Sequence, residues 1–142
     1  MTDRDYLNKL YEAVQSIENT YNNWSKEHGL VYYDMQLYYN LMESPERRLT
    51  QKELVKQLQA PKTSINSIVK RQLAKGYITM DVNPDNQREK FISLTPTGEE
   101  YAKQLILPLF KQEEQAIAKI SHKKIVDAIA TLSSFAKLLQ KD

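Results

Sequence analysis

The sequence predicts a mainly α-helical fold with one small β-hairpin. Three observations support this prediction: apolar residues recur every three or four positions near both chain ends, two short helical patterns stand side by side in the middle, and an alternating pattern follows them. The 142 residues are enough for one domain with a buried core, and only three glycines and five prolines favour helices over loops. We therefore expect a single domain over residues 1–142.

The first two predicted helices span residues 4–27 and 32–44. The first carries an apolar stripe with steps of three and four residues: Leu7, Leu10, Val14, Ile17, Tyr21 and Trp24. Two interpretations of this stripe are open, because the helix could lie on its own core or pack against a second subunit. The second helix is apolar on nearly all faces, which predicts burial between layers.

Residues 50–75 predict two short helices joined by a tight turn. Thr50 and Glu53 have the spacing of a capping box at the start of the first helix. Pro61 suits the first turn of the second helix, and Gly76 lies where that helix should end. Helical spacing predicts that four residues form its buried side: Ile65, Ile68, Val69 and Leu73.

A period of two then indicates two β-strands. Ile78, Met80 and Val82 alternate with less apolar residues, a turn cluster occupies residues 83–86, and an apolar partner strand follows at 91–94. Residues 47–49 are a candidate third short strand. Two such helices followed by a hairpin form a winged helix-turn-helix, here over residues 30–95, whose second helix can enter the major groove of DNA. Arg88 lies near the hairpin tip, where it can reach a minor groove.

The charge of the chain is concentrated in this central segment. No Asp or Glu lies between Leu54 and Met80, and residues 51–95 carry eight basic and four acidic side chains although the whole chain is only +2. A local basic face can be a solvated surface, but its coincidence with the helix pair and hairpin indicates double-stranded DNA as the partner. The residue types suit contacts with bases or phosphates. The predicted contacts are Lys62, Thr63, Ser64, Asn66, Ser67, Lys70, Arg71 and Arg88.

Two further helices are predicted after the hairpin, over residues 96–120 and 122–140. Thr95 and Ser121 can cap them, and Pro108 should kink or break the first. Their apolar stripes have no sheet to cover them, so residues 1–29 and 96–142 are assigned to a terminal-helix dimerisation lobe. A two-fold dimer would place two recognition helices roughly 34 Å apart and favour a palindromic operator.

Several classes of function lack support in the sequence. The chain has no Cys, which excludes disulfides and thiolate metal sites, and no ligand cluster accompanies His28 or His122. We therefore expect no metal and no cofactor. No catalytic motif is present, so we expect no enzyme. The polar start of the chain and the lack of a long apolar run predict a cytoplasmic protein without membrane contact.

Three segments resemble the winged helix of the multiple-antibiotic-resistance regulator (MarR) family. They are LTQKELVKQL from residue 49, PKTSINSIVKRQLAKGYI from residue 61 and NPDNQREKFISLTPTGEE from residue 83, about a third of the chain. The sequence departs from the family at Asn86, where an Asp usually precedes the wing Arg, at Ser67, where an Arg is frequent, and at Gln72, where a Leu is frequent. The resemblance implies a transcriptional regulator that dimerises through its terminal helices.

The aromatic residues of the first two helices allow two interpretations. They can be core packing, or they can line a pocket for a small effector between the dimerisation lobe and the winged helix. The resemblance implies a phenolic or other lipophilic effector in such a pocket. The candidate ligand-binding residues are Tyr21, Trp24, Tyr33 and Tyr39.

The resulting hypothesis is a homodimeric, sequence-specific DNA-binding regulator. It would repress a palindromic operator and leave it when an effector binds. The alternative is a winged-helix module that docks on a partner protein instead of DNA, which the departures at Asn86 and Ser67 favour.

Overall fold

The computed structural model describes residues 1–140, which form six α-helices and a three-stranded antiparallel sheet. The last two positions of the predicted segment 96–142 lie outside the described residues. The predicted fold class, mainly α with a small β-hairpin wing, is confirmed. In chain order the elements are α1 Asp3–Glu27, α2 Tyr32–Glu43, β1 Arg48–Thr50, α3 Gln51–Leu58, α4 Lys62–Ala74, β2 Ile78–Asn83, β3 Asn86–Leu94, α5 Pro96–Ala118 and α6 His122–Leu139.

The chain divides into two compact units, Met1–Lys103 and a second that begins at Gln104. The first unit contains α1 to α4, the sheet and the beginning of α5. The boundary therefore falls inside α5. The finer division into residues 1–29, 30–95 and 96–142 stays a prediction.

The helix pair begins and ends with recognisable caps. The Thr50 hydroxyl accepts a hydrogen bond from the Glu53 backbone N–H at 3.0 Å and donates one to the Glu53 carboxylate at 3.1 Å. Gln59 ends α3 in the left-handed conformation with a φ of 49°, and Pro61 is the N-cap of α4. Gly76 follows α4 with a φ of 76°. A short turn between these caps fixes α4 against α3.

The buried side of α4 differs from the prediction by one residue. Ile65, Ile68 and Val69 are buried as expected, but Leu73 is 38% exposed and Gln72 is fully buried. Both positions fit the helical spacing, so periodicity alone cannot choose between them. The choice depends on α2, where the Tyr38 hydroxyl donates a hydrogen bond to Gln72 Oε1.

The sheet has the order β1-β3-β2, so the predicted hairpin and the candidate third strand are both present. Ile78 pairs with Leu94 at the base of the hairpin, and a bulge at Val82 and Asn83 precedes the tip. After β3, the Thr95 hydroxyl caps α5 by accepting from the Gly98 N–H at 2.9 Å. A Cβ at Gly98 would lie 1.8 Å from the Tyr77 carbonyl oxygen, so only glycine permits this approach of α5 to the end of α4 and the start of β2.

Long helices in both units carry apolar side chains that are exposed to solvent. In the first unit, α1 leaves Ile17 61% exposed. In the second, α5 continues through Pro108 without a break, and α6 has no buried residue. Its exposed apolar residues are Val126, Ile129, Leu132, Leu138 and Leu139. No helix within residues 1–140 is long and apolar enough to cross a membrane.

Candidate nucleic-acid interface

The recognition helix α4 and the wing share an open groove of about 490 Å³, which we call the Arg88 groove. Lys52 of α3, Lys62 of α4, and Arg88 and Lys90 of β3 line it, together with the single carboxylate of Glu89. Four cations against one anion create a positive potential, which attracts phosphate. The structure thus brings together two predicted contacts, Lys62 and Arg88, that are 26 positions apart in the sequence.

A smaller groove of about 240 Å³, the Asn66 groove, continues along α4. Asn66 and Lys70 line it with Leu73 and Met80, and it shares Gln51 and Lys90 with the Arg88 groove. Four of the eight predicted DNA contacts therefore lie along one continuous basic surface: Lys62, Asn66, Lys70 and Arg88.

The first turn of α4 is open to an anion. The N-cap Pro61 makes no side-chain cap hydrogen bond, and no acidic residue lies in this turn. Lys62 and Thr63 are exposed, Ser64 is half-buried, and the exposed Ser67 donates its hydroxyl hydrogen to the Thr63 carbonyl at 3.1 Å. Uncapped backbone N–H groups with a neighbouring Lys are a favourable arrangement for a DNA phosphate.

Arg71, the remaining predicted contact on α4, lies elsewhere. Its guanidinium Nη2 donates to Asp34 Oδ1 at 2.6 Å, and the Asp34 side chain is only 8% exposed. The next residue, Gln72, accepts the hydrogen bond of Tyr38, four positions after Asp34 on α2. Two consecutive residues thus fix α4 to α2, and Arg71 is in neither basic groove.

The wing holds Arg88 through Asn86. The Asn86 Oδ1 accepts a hydrogen bond from the Arg88 backbone N–H at 3.2 Å. Asn83 supports the tip by accepting from the Asp85 N–H at 3.0 Å and donating to Glu89 at 2.9 Å. An Asn at position 86 can therefore order the wing backbone without placing a negative charge beside the Arg88 guanidinium.

Sequence reasoning missed three residues of the basic surface: Gln51, Lys52 and Lys90. Lys90 follows Arg88 by two positions, and the period of two on a strand places both on one face. That signal was available. Gln51 and Lys52 join the surface only because α3 packs beside α4, and no local pattern contains that information.

A separate groove of about 790 Å³ has the opposite charge. Glu43, Glu46 and Glu53 line it with a single cation, Arg48, whose guanidinium lies 4.3 Å from the centre of the Phe91 ring. A phosphate backbone would be repelled there, whereas the two basic grooves would attract it.

Three tyrosines other than the predicted ligand-binding residues pack together where α2, β2 and α5 meet. The rings of Tyr77 and Tyr101 stack at 4.5 Å, and Tyr38 meets Tyr101 edge-on at 5.2 Å. Burial, followed by the proximity of Tyr101 and Asp34, raises the pKa of the Tyr38 hydroxyl far above its usual range. The Tyr38 phenol therefore stays neutral to a more alkaline pH than an ordinary tyrosine and keeps the hydrogen that it donates to Gln72.

The four predicted ligand-binding residues lie on α1 and α2. Tyr21, Trp24 and Tyr39 are half-buried, and Tyr33 is 37% exposed. The Trp24 ring packs on His28 at 4.1 Å, and Tyr33 lies 5.9 Å from Tyr32. None of the three grooves described above contains any of the four, so their role in ligand binding stays a prediction. Within the part of the chain that is described, no group of three or more His, Asp or Glu could hold a metal ion.

A helix-turn-helix whose second helix shares a basic groove with a β-hairpin defines a winged-helix fold. Several solved structures of MarR family transcriptional regulators share this winged-helix fold together with its long terminal helices. No protein-family model and no curated protein sequence matches the chain.

Three of these structures cover nearly the whole chain. The MarR family regulator NMB1585 from Neisseria meningitidis has a TM-score of 0.79 at 24% identity, over 94% of this chain and 93% of its own. AbsC from Streptomyces coelicolor has a TM-score of 0.78 at 17% identity, over 98% and 96%. Sco3205 from the same organism, solved in complex with DNA, has a TM-score of 0.75 at 21% identity, over 100% and 92%. At identities this low, the structural similarity establishes a shared fold.

Proposed function

We propose that the protein is a sequence-specific DNA-binding transcriptional regulator that acts as a homodimer, without catalytic activity. The observation that carries the proposal is the continuous basic surface on which Lys62, Asn66, Lys70 and Arg88 lie together. The similarity to Sco3205, a MarR family regulator solved with DNA, supports the same conclusion. A regulator of this kind has to reach the genome, so we place it in the cytoplasm.

In the proposed complex, α4 lies in the major groove and the wing follows the adjacent minor groove. Asn66 and the hydroxyls of Thr63, Ser64 and Ser67 are in the part of α4 that approaches base edges. Lys62 and Lys70, with Lys52 and Lys90, contact phosphates on either side of the helix. Arg88 enters the minor groove, where the potential is most negative over A·T-rich sequence.

The exposed apolar residues of α6 and α1 support the homodimer. In a single chain, Ile129 and Val126 of α6 are 60% and 62% exposed, and surfaces of this kind are normally covered. We expect sedimentation to find a dimer and Ile129→Asp to shift it towards monomer. Thr131→Asp is the control, because position 131 lies on the other side of α6. Equal sedimentation of both variants and the parent chain would contradict this interface.

Repression with release by a small effector is the regulatory part of the proposal. A ligand that binds the free form more tightly than the DNA-bound form weakens operator binding by linkage. The candidate site comprises Tyr21, Trp24, Tyr33 and Tyr39. Trp24 is the only tryptophan, so its fluorescence can report binding of a phenolic anion such as salicylate. Salicylate that leaves both fluorescence and DNA affinity unchanged would exclude phenolic anions of this kind as effectors.

The test of DNA binding is selection of bound duplexes from a random pool at low salt. We expect a palindrome whose half-sites lie about 10 base pairs apart, centre to centre. Lys70→Ala should weaken binding to every selected duplex. Lys56→Ala is the matched control, because Lys56 is exposed on α3 but lies outside both basic grooves. If no duplex is retained, the alternative of a protein-interaction module gains support.

A further inference from the structure

We infer that Gln51 determines operator specificity by fixing the side-chain amide of Asn66. The inference rests on the proposed DNA-binding function. Gln51 is the first residue of α3, and its Nε2 donates a hydrogen bond to Oδ1 of Asn66, which lies in the first half of α4. This hydrogen bond joins the start of α3 to the part of α4 that would read bases. Gln51 is therefore a positioning residue, and Asn66 is the residue that would touch a base.

Gln51 is well placed to hold another side chain still. It follows Thr50, which is 4% exposed and caps α3 through two hydrogen bonds with Glu53. Gln51 is itself half-buried and lines both basic grooves, whereas Asn66 is exposed and lines the smaller one. An exposed Asn would otherwise sample several rotamers, so a partner on a fixed helix end restricts its orientation.

The direction of this hydrogen bond decides what Asn66 offers to a base. An Asn that reads adenine uses both ends of its amide, with Oδ1 accepting from N6 and Nδ2 donating to N7. In this protein Oδ1 is turned towards the Gln51 amide nitrogen. Asn66 consequently presents its Nδ2 donor, which suits acceptor edges such as guanine O6 and N7 or thymine O4.

The chemistry of position 51 can reverse this arrangement. A carboxylate has acceptors but no donor, so Gln51→Glu would take the Asn66 Nδ2 hydrogen and leave Oδ1 facing the DNA. The preferred base should then change to one with a donor edge, such as cytosine N4 or adenine N6. Gln51→Ala removes the restraint altogether and should broaden the preference, with adenine now allowed.

The experiment measures dissociation constants at one salt concentration for the selected operator and for all single-base changes in its half-site. Asn66→Ala identifies the base pair that Asn66 reads. At that base pair, Gln51→Glu should change the relative preference among the four bases by roughly five- to tenfold, the range expected for one or two hydrogen bonds to a base. The effect should disappear in the Asn66→Ala background, because Gln51 acts only through Asn66.

Gln57→Glu is the matched control for the new negative charge. Gln57 is an exposed glutamine of the same helix and lines the groove that contains Glu43, Glu46 and Glu53, outside both basic grooves. If Gln51→Glu lowers affinity for all sequences in parallel, as a carboxylate near phosphates would, and Gln51→Ala leaves the base preference unchanged, then Gln51 does not set specificity. If the parent chain binds no duplex at low salt, the proposed function itself is overturned. That result is distinct from an equal loss of affinity for all sequences in Gln51→Glu.

Discussion

The buried Asp34 carboxylate of α2 accepts a hydrogen bond from the Arg71 guanidinium of α4 at 2.6 Å. Arg71 is the residue before Gln72, which accepts a hydrogen bond from Tyr38, so adjacent residues of the recognition helix have partners one turn apart on α2. The orientation of α4 depends on these two contacts as well as on its apolar side. Arg71 therefore has a structural task that its charge alone does not suggest.

Arg71→Ala should lower the free energy of unfolding by about 2–3 kcal/mol, because it leaves the Asp34 carboxylate buried without its cation. Urea denaturation measures this loss. Lys70→Ala is the control at the neighbouring, exposed position, where a change within about 0.5 kcal/mol is expected. Equal losses in the two variants would mean that the Asp34 pair does not stabilise the fold.

The salt dependence of DNA binding should separate the same two residues. Lys70→Ala should reduce the slope of log K against log salt by about one unit, since it removes one phosphate contact. Arg71→Ala should change the slope less, because its charge is already paired with Asp34. Filter binding at several salt concentrations tests both variants, with Lys56→Ala as the unchanged reference. A larger slope change for Arg71 than for Lys70 would place Arg71 on the DNA.

Tyr38 and Gln72 should behave as a coupled pair. Tyr38→Phe leaves the buried Gln72 without a partner for its oxygen, and Gln72→Leu leaves the Tyr38 hydroxyl unpaired, so each should cost about 1–3 kcal/mol. The double variant should be less destabilised than the sum, because it leaves neither the Gln72 oxygen nor the Tyr38 hydroxyl buried without its partner. Thermal or urea unfolding of the four proteins gives the coupling energy. Strict additivity would contradict the pairing.

Gly98→Ala should destabilise the fold because its Cβ would lie 1.8 Å from the Tyr77 carbonyl oxygen. The backbone has to move, and overpacking of this kind costs about 1–3 kcal/mol or more. Thr97→Ala, at the exposed preceding position, is the control. An unchanged melting temperature in Gly98→Ala would show that α5 can shift away from Tyr77 at little cost.

Stability should decline at alkaline pH in a way that depends on Tyr38. Burial raises the pKa of Tyr38 in the folded state above the 10.0 of an ordinary tyrosine, so folding favours the neutral phenol. This contribution is complete below about pH 10 and decreases as the pH rises above that value, because the unfolded chain ionises first. Tyr38→Phe should therefore make the fall in urea midpoint between about pH 9 and about pH 11 shallower. Tyr6→Phe, which alters an exposed tyrosine, is the control and should leave the fall in urea midpoint as it is in the parent chain.

Much of the fold could be predicted because its signals are local. The caps at Thr50 and Thr95, the glycine at position 76 and the alternation of β2 each depend on neighbours in the sequence. Helical periodicity could not choose Gln72 over Leu73 for the core, since the choice depends on the Tyr38 hydroxyl 34 positions away. Gly98 carried no signal for a similar reason, because its constraint is the Tyr77 backbone.

The same distinction between local signals and contacts across elements applies to the candidate DNA-binding surface. Helix position, residue type and the hairpin tip predicted Lys62, Asn66, Lys70 and Arg88, and these four residues line the basic grooves. The hydrogen bond from Gln51 to Asn66 and the ion pair of Arg71 with Asp34 could not be predicted, because each joins residues of two different helices. Pairwise contacts between elements are what a single sequence does not contain.

The exposed apolar residues of α6 have a consequence for how promoter occupancy depends on the cellular concentration of this protein. If subunit pairing covers them, as proposed, then at scarce copy number the amount of paired protein rises with the square of the total, and promoter occupancy rises equally steeply. A modest drop in synthesis would then switch the target gene on more sharply than a monomeric binder could.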